Sequence, residues 1–401
     1  MELKQAIKQQ AEQFDSFYLY DESGILKQIA CLKENFPQIE FLYSVKCNPH
    51  VQVLNSVFEQ GWGADAASLG EVNISANAGL PKEKIYYSAP GKTEKDIERA
   101  IDRSVLIADS IGEIKRIQRI AQRRGQTVKI GIRINPDFTF SGDEGIPSKF
   151  GVDESQALEF IRSDSCPNVK VTGIHAHLKS QELDAAVLGN YYRNMFALAS
   201  RVAEICGELE YINLGSGIGV AYSPDDEEMD IAFLGSVLNG ELERFHTRYP
   251  DTKVLIEVGR YAVCKSGYYV TRVLDRKISH GRTYLILKNT LNGFLRPSMA
   301  RLIMSCTTEE PAGKEPFFTK EDAFAFITLQ ESRQKEKVTL VGNLCTAADV
   351  IAEDIEVPYL EEGDCLIMTN AGSYAAVLSP MQFSSQERPK EFFLSAKGEI
   401  L

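Results

Sequence analysis

The chain has 401 residues, of which 44% are hydrophobic and 25% are charged, a composition typical of a folded globular protein. This much apolar surface can offset chain entropy, so the composition excludes disorder as the main state. With 56 acidic and 44 basic residues the formal net charge is -12, which makes the chain a poor candidate for electrostatic binding to nucleic acid. The length allows two or three domains, or one large barrel with a smaller partner domain.

The N-terminal segment and the cysteines indicate a cytoplasmic protein. Residues 1–14 are polar and lack the apolar stretch of a signal peptide. No apolar stretch approaches the ~20 residues that span a bilayer, so we expect no membrane partner. The eight cysteines are scattered and contain no CxxC pair, which is typical of reduced thiols and not of a disulfide framework.

Short apolar runs alternate with amphipathic stretches from about Ile25 to Arg260. The runs predict strands, and the stretches with apolar residues at helical spacing predict helices. Such alternation implies parallel strands with right-handed crossovers, and seven or eight units over ~240 residues fit a (β/α)8 barrel. A doubly wound sheet is the alternative on pattern alone. The predicted strands are Glu40–Val45, Lys84–Ser88, Val105–Ala108, Val128–Asn135, Val169–His177, Tyr211–Leu214 and Val254–Val258, and the predicted helices include Glu94–Asp102, Ile111–Arg124 and Ala185–Cys206.

After Arg260 the pattern changes to short β-rich segments separated by turn residues, which predict a smaller β domain. Phe17–Tyr20 is also strand-like, and we expect it to pair with this sheet. We therefore expect a barrel at residues 24–262 and a β-rich domain at 1–23 and 263–401. Residues Thr307–Lys320 are typical of a loop. The predicted strands are Gly267–Leu274, Thr283–Leu287, Lys337–Val341, Asp364–Thr369 and Glu391–Leu394.

Reactive groups of a barrel collect at the carboxyl ends of its strands. Lys46 ends an apolar strand, where partial desolvation makes an amine a better nucleophile; a lysine that extends into solvent is the alternative. Glu257 ends the last barrel strand and, if buried, either pairs with an arginine or faces a protonated heterocycle. The turn with Gly215, Gly217 and Gly219 lets backbone N–H groups approach an anion, unless it is only a turn.

Two other features are weaker signals. His175 and His177 alternate on one strand, so both can face the same side. A third metal ligand at useful spacing is missing, so we expect no metal site; a histidine stacked on a flat ligand or hydrogen-bonded in the core fits better. The glycine turn is not a Rossmann fingerprint, because Val220 stands where the last glycine belongs.

Seven motifs, taken together, resemble a known family. YSVKCN, SKFGV, HAHLKS, NLGSGIG, EVGR, GNLCTAAD and NAGSY occur in the order found in the fold-type III pyridoxal-phosphate decarboxylases, the alanine-racemase-like family that includes diaminopimelate and ornithine decarboxylases. The resemblance covers nearly the whole chain from Phe17 onwards. It implies a barrel with a C-terminal β domain, pyridoxal 5'-phosphate as cofactor, and a homodimer that shares its active sites.

The resemblance also implies roles for residues at the matching positions. Lys46 resembles the lysine that forms the Schiff base with the cofactor, His177 the histidine that stacks on its ring, and Glu257 the acid that keeps the pyridine nitrogen protonated. Racemases of the family carry arginine at that last position, so the acid favours a decarboxylase. Asp65 and Arg133 match positions beside the lysine. The residues that resemble the phosphate-binding set are Ser180, Gly215, Gly217, Gly219, Arg260 and Tyr374.

Cys345 and Asp349 resemble residues that enter the active site from the partner subunit. Cys345 is the expected proton donor to Cα after CO2 leaves, with a small buried filler as the alternative. Thr346 departs from diaminopimelate decarboxylase, which has an acid there that can meet a distal substrate amine. Arg296 matches an arginine for the substrate carboxylate, and Lys179 replaces a glycine and adds positive charge near the phosphate or an anionic substrate.

The Cys-Thr-x-x-Asp pattern resembles the subset of decarboxylases that act on conjugated amino acids. We expect a citryl–amino-acid intermediate of siderophore biosynthesis, because Arg296 and Lys179 suit a polyanionic citryl group. Diaminopimelate or another free basic amino acid is the alternative substrate. The alternative of another class is a catalytically silent regulator with the same fold, against which the retention of Lys46, Glu257, Cys345 and Tyr374 argues.

Overall fold

The computed structural model describes residues 1–140, 142, 144–163, 165–306, 322–329 and 333–401. The predicted loop Thr307–Lys320 lies outside these residues. The chain forms two compact units. The β unit comprises Met1–Gln28, Val220–Glu228 and Arg260–Leu401, and the barrel unit comprises Ile29–Gly219 and Met229–Gly259. The domain limits predicted from the sequence stay predictions. No helix in the described ranges is long and apolar enough to cross a membrane.

The chain starts with helix α1, strand β1 and helix α2. α1 buries one face through Ala6, Ile7 and Ala11, and β1 is buried along almost its whole length. These apolar side chains form one cluster with Val270 and Ile367 of the β unit. The N-terminal segment therefore contributes to the core of that unit. The bounds are α1 (Leu3–Ala11), β1 (Ser16–Asp21) and α2 (Glu22–Asn35).

Eight parallel strands of the barrel unit close into a ring, which confirms the predicted (β/α)8 barrel. The strands are β2 (Glu40–Ser44), β3 (Gly63–Ala66), β4 (Ile85–Tyr87), β5 (Val105–Ala108), β6 (Val128–Asn135), β8 (Val169–His175), β9 (Tyr211–Asn213) and β10 (Lys253–Val258), with the short β7 (Val152–Asp153) beside β6. β2 pairs with β10, and β5 pairs with β6, so the order closes. Five strands each contribute one residue to a buried apolar cluster: Leu42, Tyr86, Ile107, Tyr211 and Leu255.

The barrel helices begin where the sequence supplies caps. Thr93 and Asp96 form a reciprocal capping box at α5, and the side chains of Ser110 and Asp184 accept backbone N–H bonds at the starts of α6 and α8. Such caps satisfy N–H groups that have no partner inside the helix. The bounds are α3 (Val51–Glu59), α4 (Leu69–Asn77), α5 (Glu94–Ala100), α6 (Ile111–Arg123), α7 (Glu154–Ser163), α8 (Ala185–Cys206) and α9 (Ile231–His246).

The β unit is mostly sheet, as predicted. Its strands pair in the order β13, β16, β11, β12, β14, β15, and β1 pairs with both β11 and β17. β1 runs antiparallel to β11 and parallel to β17, so the strand predicted at Phe17–Tyr20 joins the sheet. The bounds are α10 (Arg260–Val263), β11 (Gly267–Ser279), β12 (Arg282–Leu287), α11 (Leu295–Cys306), β13 (Phe326–Thr328), β14 (Lys335–Gly342), β15 (Val350–Pro358), β16 (Cys365–Met368) and β17 (Lys390–Leu394).

Candidate active site

Lys46 and Asp65 lie at the carboxyl ends of the neighbouring strands β2 and β3. Lys46 sits in a single 3-10 turn directly after β2 and keeps 42% of its side-chain surface exposed. Its Nζ lies 3.3 Å from Oδ2 of Asp65, which is completely buried. Asp65 also accepts hydrogen bonds from the hydroxyls of Ser44 (3.0 Å) and Ser88 (2.8 Å). The carboxylate is therefore fixed from several sides, whereas the amine beside it is accessible.

Glu257, near the end of β10, is a buried carboxylate among donors and cations. Its Oε1 accepts a hydrogen bond from Nδ2 of Asn213 (2.9 Å) and lies 3.2 Å from Nε2 of His175. Burial alone raises the pKa of Glu257, but the imidazole of His175, the largest opposing influence, and the Lys46 ammonium counter burial, and the pKa lies well below its usual range. Glu257 is therefore ionised at neutral pH.

His177 follows the end of β8 by two residues and is half-buried. Its Nδ1 accepts the backbone N–H of Ser216 (3.0 Å), and its Nε2 lies 3.2 Å from the hydroxyl of Ser180. Burial lowers the pKa of His177 to about 3, against the opposing effect of Glu257. The ring is therefore neutral near pH 7, and because Nδ1 accepts, the proton lies on Nε2.

The predicted anion-binding turn follows β9. A Cβ at Gly215 would lie 2.2 Å from the carbonyl oxygen of Ala176, and one at Gly219 would lie 2.5 Å from that of Glu182. The N–H groups of Gly215 and Gly219 donate to Asn213 Oδ1 (2.9 Å) and the Glu182 carbonyl (2.9 Å). These two N–H groups are thus used inside the barrel unit. Gly215 and Gly219 allow neighbouring backbone segments to approach closely. The phosphate-binding role predicted for them and for Gly217 stays a prediction.

Arg133, on β6, connects three segments of the barrel unit. Its Nη2 donates to the carbonyl of His177 (3.3 Å), and its Nη1 lies 3.7 Å from Oδ1 of Asp109. Its guanidinium lies 4.4 Å from the centre of the Phe150 ring. Oδ1 of Asp109 also accepts the N–H of Gly151 (3.2 Å), so the arginine and the carboxylate hold the SKFGV segment beside β6.

In the β unit, Arg260 and Arg296 both donate to the hydroxyl of Tyr222. The bond from Arg296 Nη1 is 3.1 Å long, and its Nη2 donates to the carbonyl of Asn370 across 2.6 Å. Arg260 also lies over the ring of Tyr374, 4.7 Å from its centre. Tyr374 has a backbone φ of 50°, which is strained for a bulky residue and typical of functional positions.

The Cys345 segment also belongs to the β unit. Cys345 is exposed, so the alternative of a small buried filler is wrong. Thr346 is half-buried and supplies a neutral hydroxyl. Asp349 is buried and accepts the backbone N–H groups of Leu291 (3.0 Å) and Leu344 (3.0 Å). Its carboxylate thus fixes the segment that presents Cys345, and its predicted substrate contact stays a prediction.

Lys179 has a partner of its own. Its Nζ lies 2.8 Å from Oε2 of Glu182, three residues on, and half of its side chain is exposed. The positive charge that the sequence predicts for an anionic ligand is therefore balanced locally. Its predicted roles at the substrate or the phosphate stay predictions.

Several residues of these sites do not follow from the sequence analysis. Asn213 stands inside the NLGSGIG motif, and its side chain hydrogen-bonds to both Glu257 and the glycine turn. The sequence signal that could have identified this role is an amide side chain at the end of a strand. Lys92 and Glu113 form a completely buried ion pair (2.7 Å), in which Lys92 also donates to the carbonyls of Ala89 and Ile107. Tyr222 lies in a loop without a periodic pattern. Within the described part of the chain, no group of three or more metal-ligating side chains occurs.

Comparison with known proteins shows that this chain is similar to one protein family. A family model described as "Pyridoxal-dependent decarboxylase, pyridoxal binding domain" matches residues 22–264. The L-glutamyl-[BtrI acyl-carrier protein] decarboxylase of Niallia circulans is 31% identical over 94% of this chain and 87% of its own length. The 2-[(L-alanin-3-ylcarbamoyl)methyl]-2-hydroxybutanedioate decarboxylase of Staphylococcus aureus is 28% identical over 95% of this chain and 94% of its own. The crystal structure of diaminopimelate decarboxylase from Helicobacter pylori complexed with L-lysine has a TM-score of 0.82 and 27% identity, covering 100% of this chain and 95% of that one.

Proposed function

This chain belongs to the family of pyridoxal-dependent decarboxylases, and from that premise we propose that it decarboxylates an amino acid that is part of a larger anionic conjugate. A citryl amino acid, formed in siderophore biosynthesis, is the substrate we propose first. The observation that carries this proposal is the state of Arg296. It is fully buried, and among the described residues its hydrogen-bond partners are a hydroxyl and a carbonyl, with no carboxylate within ion-pair distance.

A buried guanidinium without a carboxylate is costly unless a ligand supplies the anion. Nε of Arg296 is also buried without a hydrogen-bond acceptor in the described ranges. The only atoms that accept from its Nη groups there are a phenol oxygen and a carbonyl oxygen, both neutral. A substrate with a carboxylate distant from the reacting centre would satisfy both the charge and the free N–H group.

Thr346 favours conjugated amino acids over free diamino acids as substrates. The distal end of diaminopimelate carries an ammonium as well as a carboxylate, and the ammonium needs an anionic partner. A threonine hydroxyl beside the exposed Cys345 offers no negative charge. The two curated relatives from Niallia circulans and Staphylococcus aureus have names that describe amino acids carried on larger groups, which supports the same choice.

The residues of the barrel unit fit pyridoxal phosphate. Bound pyridoxal phosphate supplies the electron sink for the pair of electrons left on Cα when CO2 leaves. The ionised carboxylate of Glu257 suits a protonated ring nitrogen, and the accessible amine of Lys46 suits covalent attachment. The neutral ring of His177 can stack on a heterocycle without adding a positive charge that would oppose the protonated nitrogen.

The chain's own residues then have separate tasks. We assign Glu257 to hold the proton on the ring nitrogen, and Arg296 to bind the distal carboxylate of the substrate. The exposed thiol of Cys345 returns a proton to Cα, with Asp349 keeping its segment in place.

The substrate proposal is tested by the rate of CO2 release from purified holoenzyme. We expect kcat/KM for a citryl amide of diaminopropionate to exceed that for free meso-diaminopimelate by at least about tenfold, equivalent to ~1.4 kcal/mol. The variant Thr346→Glu should lower this ratio, because it adds the missing carboxylate for a distal ammonium. Equal rates on both substrates would favour the second candidate, diaminopimelate decarboxylation, which the likeness to the Helicobacter pylori structure supports.

We also propose a homodimer in which Cys345 serves the site that contains Lys46 of the other subunit. Lys46→Ala and Cys345→Ala variants, each inactive alone, would then complement each other. After random reassortment half of the dimers are mixed and each has one intact site, so about a quarter of wild-type activity should return. No recovery would mean that both residues serve the same chain's site.

A further inference from the structure

Tyr222 is the acceptor at which two buried guanidiniums of the β unit meet. We propose that it is a positioning residue: its hydroxyl fixes Arg260 relative to Arg296, and so aims both arginines at the anions they bind. The inference rests on the proposed function, which supplies those anions as the cofactor phosphate and a distal substrate carboxylate. Tyr222 matches none of the motifs that define the predicted site.

The geometry allows one oxygen to serve both cations. A phenol oxygen has two acceptor lone pairs, and Nη1 of Arg260 and Nη1 of Arg296 each donate to it. The ring also lies under both guanidiniums, with its centre 5.6 Å from that of Arg260 and 5.4 Å from that of Arg296. Moving either arginine away from Tyr222 breaks a bond that helps to orient it.

A neutral acceptor suits this position because it adds no negative charge beside the two guanidiniums. Burial raises the pKa of Tyr222 although both arginines oppose the change, so the hydroxyl keeps its proton at neutral pH. A carboxylate at the same point would orient the arginines equally well, but it would cancel positive charge that the anionic ligands need. Tyrosine orients both guanidiniums without adding a negative charge of its own.

Arg296 depends strongly on this bond. Of its donors, Nη2 binds the carbonyl of Asn370, Nη1 binds Tyr222, and Nε is buried without an acceptor in the described part of the chain. Its other close neighbours include the rings of Phe294 and Phe324, with centres 5.6 Å and 5.1 Å from the guanidinium, and these rings offer no hydrogen-bond acceptor in their plane. Without the Tyr222 hydroxyl, the carbonyl of Asn370 is the one acceptor left to this buried cation among the described residues.

The test is Tyr222→Phe, which removes the hydroxyl and keeps the ring. Titration of the cofactor-free protein should give a dissociation constant for pyridoxal phosphate raised about tenfold, the effect of losing one charge-assisted hydrogen bond. The dissociation constant for pyridoxal, which lacks the phosphate, should stay within about twofold, since phosphate is the group that Arg260 is assigned. In the holoenzyme, KM for the conjugate should rise about tenfold with kcat within about twofold.

Tyr20→Phe is the matched control. Tyr20 is also a buried tyrosine of the β unit, and its hydroxyl donates to Glu391 (2.6 Å). We expect this variant to leave both dissociation constants and KM unchanged. The proposal is overturned if Tyr222→Phe leaves the binding of pyridoxal phosphate unchanged, if it weakens pyridoxal equally, or if Tyr20→Phe has the same effect. Because the cofactor titrations need no substrate, they decide the role of Tyr222 even if the conjugate proves to be the wrong substrate.

Discussion

The neutral His177 ring predicts how the stability of the barrel unit depends on pH. The pKa of His177 is about 3 in the folded protein, against about 6.5 for an unperturbed histidine. Between these values the unfolded chain binds a proton that the folded chain does not. The contribution of this residue to the free energy of unfolding is therefore fully present above pH 6.5 and is lost as the pH falls towards 3.

The magnitude follows from the width of that pH range. Each pH unit inside it corresponds to about 1.4 kcal/mol, so two units, from pH 6.5 to 4.5, give an upper limit of ~2.7 kcal/mol. Solvent reaches part of the half-buried ring and reduces the effect, so we expect a loss of about 1–2 kcal/mol. His177→Asn removes the titration, while its side-chain oxygen can still accept the N–H of Ser216.

The assay is urea unfolding of the cofactor-free protein at pH 7.0, 5.5 and 4.5, followed by circular dichroism. Wild type should lose about 1–2 kcal/mol more than His177→Asn between the first and last pH. His280→Asn, at an exposed histidine of the β unit, is the control and should follow the wild type. If wild type and His177→Asn lose stability in parallel, the ring is protonated in the folded protein and the argument for a neutral stacking histidine is wrong.

Three further predictions concern the site and its support. Lys46→Ala should abolish the visible absorbance band that pyridoxal phosphate gives when it is covalently bound to the wild-type protein, because no other amine is assigned to it. Cys345→Ala should keep that band and lower kcat by about 10²-fold or more, the usual contribution of a proton donor. Glu113→Gln should lower the free energy of unfolding by about 3–5 kcal/mol, because it leaves the buried Lys92 ammonium without its carboxylate.

Each of these has an outcome that contradicts it. A visible band that survives in Lys46→Ala would move the covalent attachment elsewhere, and full turnover by Cys345→Ala would exclude the thiol as donor. Asp102→Asn, which breaks an exposed ion pair with Arg124 (2.6 Å), is the control for Glu113→Gln and should leave the melting temperature unchanged. Equal melting temperatures for the two variants would show that the buried pair has little effect on stability.

The barrel could be predicted because most of its strands are continuous apolar runs that end at reactive residues. β3 is different, since its sequence GADA has the small, weakly apolar residues of a turn. The structure gives the reason: a Cβ at Gly63 would lie 2.5 Å from the carbonyl of Lys84 and 2.7 Å from a methyl group of Leu42, so only a glycine fits between the neighbouring strands. That constraint comes from strands distant in sequence and has no local signal.

The candidate site shows the same limit. The motif residues Lys46, His177 and Glu257 lie at strand ends. Because reactive groups of a barrel collect at the carboxyl ends of its strands, their positions could be recognised as site positions from the sequence. Tyr222 and Asp109 act by accepting from arginines that are 24 or more residues away in the chain, and a single sequence contains no sign of such pairs. Likewise α11 and β15 lack predicted counterparts, because their polar and apolar residues follow packing within the β unit and not a clear period.

The position of β1 has a consequence for how the protein is made. This strand, Ser16–Asp21, lies between β11 (Gly267–Ser279) and β17 (Lys390–Leu394), both of which come much later in the chain. During translation β1 therefore has no neighbouring strand until β11 has been synthesised, and its second neighbour, β17, follows later still. The barrel segments are synthesised in between and can fold while it waits, so completion of the β unit is the natural slow step of biogenesis and the stage most exposed to aggregation.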